Sequence, residues 1–207
     1  MFYMAAKTRL TAARLPVWTL VICAVAGLVY IIPKLGSLLI YDRAAIIHGE
    51  LWRLVTGNLV HLSPMHLAYD LSALLITGSI IEIRGYRFFP LLCLSAAVLI
   101  GIVIFRLEPA IHFYGGLSGI VIAAATYLCL HGLLEKGVWR WLCTAMLAAL
   151  TAKIGIELIF GQSFLFATST EKFVPVPLSH LTGSVTAIIL FVSMRFGNKY
   201  TQHTMQL

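Results

Sequence analysis

Two short stretches decide how this chain is read: Tyr114-Gly115-Gly116-Leu117-Ser118-Gly119, and His180-Leu181-Thr182-Gly183. Each opens an apolar segment, the first about 117–134 and the second about 178–195. Working outward, four more apolar segments emerge, at about 16–33, 64–82, 88–106 and 139–160. A transmembrane helix needs about 20 predominantly apolar residues. Six such helices with short loops account for 207 residues as one domain, spanning 1–207. The expected fold class is therefore all-α, a polytopic six-helix membrane bundle.

Composition agrees. Apolar residues make up 60% of the chain and charged residues 11%, and the mean hydropathy is +0.93. A soluble domain carries about 25% charged residues. A soluble enzyme, a disordered regulator and a secreted disulfide scaffold are excluded. Cys23, Cys93, Cys129 and Cys143 all fall within apolar runs and are read as small core hydrophobes.

The net charge of +7 does not point to nucleic acid, because the charges follow membrane topology. Lys7, Arg9, Arg14, Arg84, Arg87, Lys136, Arg140, Arg195 and Lys199 fall on one side. Lys34, Arg43, Arg53, Arg106 and Lys172 fall on the other. Short loops rich in Lys and Arg stay cytoplasmic, so both termini are expected there. The basic start followed by an apolar run resembles a signal peptide. The run continues to Ile32, which suits a retained anchor. The first loop, about 34–60, mixes Asp42, Arg43, His48, Glu50, Trp52 and Arg53 with apolar residues and is expected to lie in the interface, anchored by Tyr41 and Trp52. Trp139 and Trp141 read as interface anchors at a helix start.

Ionisable groups inside a membrane are costly and mark functional sites by default. His66, Asp70, Lys153, Glu157 and His180 all lie in apolar segments. Counting along each helix to its cytoplasmic charge places His66, Ser118 and His180 about 24, 27 and 23 Å from the cytoplasmic ends, a common level on three helices somewhat below the outer surface. Asp70 lies one turn from His66 on the same face. A shared site would give this coincidence.

The chemistry follows from the residue types. A serine hydroxyl is a weak nucleophile until a base takes its proton, and histidine is the usual base. Gly116 and Gly119 flank Ser118 at a helix N-terminus, where free backbone N–H groups can stabilise an oxyanion. Irregular backbone at Tyr114-Gly115-Gly116 is tolerated at membrane depth only when packed in protein or lining a wet cavity. Gly183, one turn after His180, lets the fourth and sixth helices approach. His61 is expected near the interface, fixing a loop. Lys153 and Glu157, at i and i+4, either neutralise each other as a structural pair or serve the site. No residue set is read as a metal site, and no cofactor is expected.

These motifs resemble the rhomboid family of intramembrane serine proteases over about residues 48 to 195. Gly116–Gly119 matches the family's GxSG, and His180 with Gly183 matches its last-helix histidine and glycine. His61 and His66 match the histidines of its second-helix pattern, and Glu50-Leu51-Trp52-Arg53 resembles its first-loop element. The resemblance implies Ser118 as nucleophile, His180 as general base and acid in a dyad, and His66 with the Ser118 N–H in the oxyanion hole. Asp70 departs from the pattern, since rhomboids usually carry asparagine there. Neutral, it could donate a hydrogen bond; alternatively it orients His66 or pairs with Lys153.

The compact body and the Lys153-x3-Glu157-x3-Gly161 string are similar to the rhombosortase branch. That likeness implies a bacterial inner-membrane enzyme opening to the periplasm. Its substrates would be transmembrane proteins with a C-terminal Gly-Gly motif, an apolar helix and a basic tail. Its partners would be those proteins and the bilayer. Two rival readings remain open: a catalytically inactive rhomboid-like client binder, and a haem protein with His66 and His180 as axial ligands.

Overall fold

The computed structural model describes residues 15–160 and 176–204, with side chains described as far as residue 195. Lys7, Arg9, Arg14, Gly161, Lys172 and the side chain of Lys199 lie outside it. Helices α1 (Val17–Ile31) and α2 (Pro33–Leu39) come first. The chain then forms β1 (Tyr41–Asp42), α3 (Arg43–Ile47), α4 (Arg53–Thr56) and a 3-10 turn at Gly57–Leu59. Next come α5 (Pro64–Ile83), α6 (Phe89–Leu107), β2 (Phe113–Tyr114), α7 (Ser118–Gly132), α8 (Val138–Phe160) and α9 (Pro177–Thr204). The all-α polytopic fold expected from the apolar segments is what forms.

Among the described residues, α5, α6, α8 and the Pro177–Arg195 part of α9 are each long and apolar enough to cross a bilayer. The first segment differs from a single straight span. Pro33 has no backbone N–H to donate, and the chain bends by 108° between α1 and α2. α7 is short, about 22 Å at the helical rise. It lies at the centre: 12 of its 15 residues are buried, Ala123, Ala124 and Ala125 among them. α5, α6, α8 and α9 pack around it. Small side chains permit that enclosure, since helices in lipid associate through close packing rather than hydrophobic exclusion.

α8 is the opposite case. Of its 23 residues only Cys143, Ile154 and Glu157 are buried, while Trp141, Met146, Leu158 and Ile159 face outward. All four cysteines are free and buried, as their apolar surroundings imply.

The first loop is built rather than loose. Asp42 caps α3 by accepting from the Ala44 and Ala45 N–H groups at 3.0 and 3.2 Å. Buried Arg53 donates to the Ser37 and Ile40 carbonyls and to Glu50. This ties the Glu50–Arg53 motif to the preceding turn. β1 pairs antiparallel with β2, Tyr41 opposite Tyr114, and their buried rings meet edge to face. That two-residue ladder connects the first loop to the strand leading into Ser118.

Candidate active site

Ser118 is the first residue of α7, placed there by a backbone that only glycine permits. Gly116 has φ +141°, and a Cβ on it would lie 2.5 Å from the His66 Cε1. A Cβ on Gly115 would come within 2.6 Å of the Val60 carbonyl oxygen. The Gly116 N–H donates to the Gly57 carbonyl at 3.4 Å, and the Tyr114 hydroxyl donates to the Gly116 carbonyl at 3.4 Å. The loop is thus packed in protein, as irregular backbone at membrane depth requires. The first intrahelical acceptor of α7 is the Leu117 carbonyl, which takes the Val121 N–H. The N–H groups of Ser118, Gly119 and Ile120 precede it and point out of the helix end.

His180 lies in the first turn of α9. The Ser118 Oγ and His180 Nε2 are 3.1 Å apart. Gly119 and Gly183 make the approach possible. A Cβ on Gly183 would collide with the Gly119 carbonyl, and one on Gly119 would press on the Ser179 carbonyl at 3.0 Å. This is the close approach expected at Gly183, and Gly119 supplies its other half.

The other side of His180 holds what the sequence left undecided. Glu157 Oε2 lies 2.6 Å from His180 Nδ1, and Glu157 Oε1 lies 2.6 Å from Lys153 Nζ. Lys153 Nζ is also 3.2 Å from His180 Nδ1. Glu157 is 1% exposed and Lys153 is partly exposed. The ion pair is therefore real, and it also reaches the site. The carboxylate at 2.6 Å favours a proton on Nδ1, donated to Glu157, over the longer approach of the Lys153 ammonium. Nε2 is then free to accept from the Ser118 hydroxyl. That is the tautomer a general base needs. Sequence reasoning missed the contact because it counted within one helix, and the partner lies on another. A carboxyl group in an apolar segment was the available signal that the residue serves a site, though not of its partner.

His66, Asp70 and His61 gather on the far side of the Gly116 loop. Ser63 caps α5, its hydroxyl accepting the His66 N–H at 3.3 Å, and Pro64 begins the helix. His66 and Asp70 then share a face, with Nε2 to Oδ2 at 3.2 Å. His61 Nε2 lies 3.0 Å from the same Oδ2 and receives the Leu117 N–H at 3.4 Å. His61 is buried, and its contact with the Leu117 N–H holds the loop before Ser118. Asp70 faces the two histidines, so its pairing is with them and not with Lys153. The haem alternative meets a His180 already bonded through both ring nitrogens.

A helical membrane bundle with a serine at a helix N-terminus, facing a carboxylate-backed histidine, defines an architecture that comparison with known proteins identifies. The rhomboid-domain profile matches residues 48–196, and the chain belongs to the rhomboid family. It is 33% identical over 118 residues to the rhomboid protease GlpG of Haemophilus influenzae. The alignment covers 53% of this chain and 60% of that protein, less than two thirds of its length.

Proposed function

We propose that this protein is an intramembrane serine endopeptidase. One observation carries the reading: the Ser118 Oγ stands 3.1 Å from an imidazole nitrogen whose opposite nitrogen is bonded to a carboxylate. Ser118 attacks the scissile carbonyl carbon while His180 Nε2 takes the hydroxyl proton. The tetrahedral intermediate collapses as His180 returns that proton to the leaving amine. Water then attacks the acyl-serine by the same route in reverse roles. The Ser118 N–H at the α7 terminus and His66 donate to the oxyanion. The resemblance alone required only a dyad. Glu157 enters here as a positioning residue that holds the His180 tautomer and stabilises the imidazolium, while Lys153 keeps the buried carboxylate neutralised between turnovers.

Family membership and the likeness to GlpG support proteolysis, and the intact Ser118–His180 pair speaks against the inactive-binder alternative. The narrower reading is a rhombosortase of a bacterial inner membrane, with the site opening to the periplasm and both termini cytoplasmic. Its substrates carry Gly-Gly, an apolar helix and a basic tail. Glycine weakens a helix by about 1 kcal/mol relative to alanine, so a Gly-Gly site exposes its backbone readily.

The test is co-expression in membranes with a reporter protein bearing such a tail. Wild type removes the tail, whereas Ser118→Ala and His180→Ala leave it on while remaining folded. Cleavage that persists in Ser118→Ala sinks the mechanism. Cleavage only of a generic transmembrane substrate retains the protease and removes the rhombosortase assignment.

A further inference from the structure

His61, His66 and Asp70 are more than the wall of an oxyanion hole. All three are at least nine-tenths buried, and each offers one ligand atom within 4.8 Å of the other two. Asp70 Oδ2 stands 3.0 Å from His61 Nε2 and 3.2 Å from His66 Nε2. A tetrahedral zinc ion with bonds of about 2.0–2.2 Å sets neighbouring ligand atoms roughly 3.3 Å apart. Both carboxylate–imidazole spacings are within tenths of an ångström of that value, and the two imidazole nitrogens, within 4.8 Å of each other, need only draw together around the ion. Two imidazoles and one carboxylate form a donor set zinc uses elsewhere with a fourth position left open.

Electron-pair accounting strengthens the case. The Leu117 N–H points at His61 Nε2, so that nitrogen presents a lone pair. Asp70 Oδ2, also bearing lone pairs, faces the same nitrogen. Two acceptors face each other at hydrogen-bond distance. Either a proton or a cation must lie between them. The position usually held by asparagine in this family is a carboxylate here, which converts an amide donor into an anionic ligand.

We infer that His61, His66 and Asp70 form a zinc site beside the nucleophile, and that zinc bound there switches proteolysis off. Zinc takes the electron pairs of His61 Nε2, His66 Nε2 and Asp70 Oδ2, and the long Leu117 N–H contact gives way. His66 Nε2, once coordinated, has no proton to offer an oxyanion. The His66 ring lies against Gly116, two residues from Ser118, so the ion blocks the site from within. The inhibitory half rests on the protease reading; the binding half does not.

The experiment uses the full chain, purified in detergent without a histidine tag and stripped with a chelator. Zinc is titrated by calorimetry, and cobalt serves as a spectroscopic reporter of tetrahedral coordination. The expected result is one tight site per chain with a tetrahedral cobalt spectrum. Asp70→Asn keeps the side-chain volume and weakens binding at least tenfold. Glu157→Gln, beside the other buried histidine, leaves binding unchanged. No stoichiometric binding by folded wild type overturns the site, as does equal affinity in Asp70→Asn. In the cleavage assay, zinc at saturation lowers the wild-type rate at least tenfold and chelator restores it. Stoichiometric binding without inhibition overturns the switch. If zinc-free protein cuts nothing, the protease reading falls, while the calorimetric and cobalt titrations still decide the site.

Discussion

At the scale of single residues, Glu157 carries the sharpest expectation. Its carboxylate reaches His180 Nδ1 and Lys153 Nζ, both at 2.6 Å, from an otherwise lipid-facing helix. Replacing it by glutamine keeps the shape but allows the amide to present a donor to Nδ1, which favours the unproductive tautomer. Glu157→Gln is expected to lower kcat by about 10²–10⁴-fold. KM should be unchanged and Glu157→Asp should restore part of the rate. Steady-state kinetics on a purified substrate checks this, and a rise in KM at constant kcat would assign the residue to substrate binding. Which ionisable residues matter was legible in the sequence, because a buried charge in an apolar segment needs a reason. His180, His66 and Asp70 stand out that way, and Ser118 through its glycine-flanked helix start. Their pairings were not all legible. Lys153 and Glu157 satisfy each other along one helix, and nothing in the sequence reports that the second carboxylate oxygen faces another helix.

At the scale of elements, the contact between α7 and α9 sets the Ser118–His180 distance. Gly119 and Gly183 meet backbone to side, leaving no room for a methyl group. Gly183→Ala places its Cβ on the Gly119 carbonyl, so α9 must move away from the serine. Overpacking of this kind costs about 1–3 kcal/mol. The unfolding midpoint in detergent should fall, and labelling of Ser118 by a fluorophosphonate should slow with it. Gly155 provides the control. It lies in α8, and a methyl group added to it would meet nothing within 4 Å. Gly155→Ala removes only the helix penalty of glycine, about 1 kcal/mol, and should be neutral or stabilising. Equal behaviour of the two variants would mean that the α7–α9 approach is not what positions the histidine. The small residue after His180 suggested this closeness from the sequence. The 108° bend at Pro33 and the brevity of α7 were hidden, because an apolar run reports burial or lipid contact without distinguishing them.

Across the whole molecule, the two ends of the bundle do different work. One end holds Ser118 and the histidines around it. At the other, Arg84 and Tyr86, just beyond α5, clasp Glu135, just beyond α7. The Arg84 guanidinium also lies over the Trp139 ring, 4.2 Å from its centroid. The charge pattern that suggested topology thus also fastens helix ends together, a use that sequence alone does not reveal because the partners are 51 and 49 residues apart. The Tyr86 hydroxyl, and after it the Arg84 guanidinium, hold Glu135 below the usual carboxylate range. A carboxyl depressed on folding stabilises the fold at pH values above its ordinary pKa of about 4.3, and that contribution is lost as pH falls through the folded value. Both partners are more than a third exposed, so solvent screening keeps the effect near 0.5 kcal/mol. Glu135→Gln should therefore lower the unfolding midpoint by about 1–2 °C at neutral pH. The gap from wild type should close as the pH falls from the ordinary value through the depressed folded one, below which the wild-type carboxyl is itself neutral. A thermal series in detergent from neutral to acid pH reads both limbs. A gap that widens on acidification would require the opposite sign of shift, and one that stays flat would leave the clasp without an energetic role.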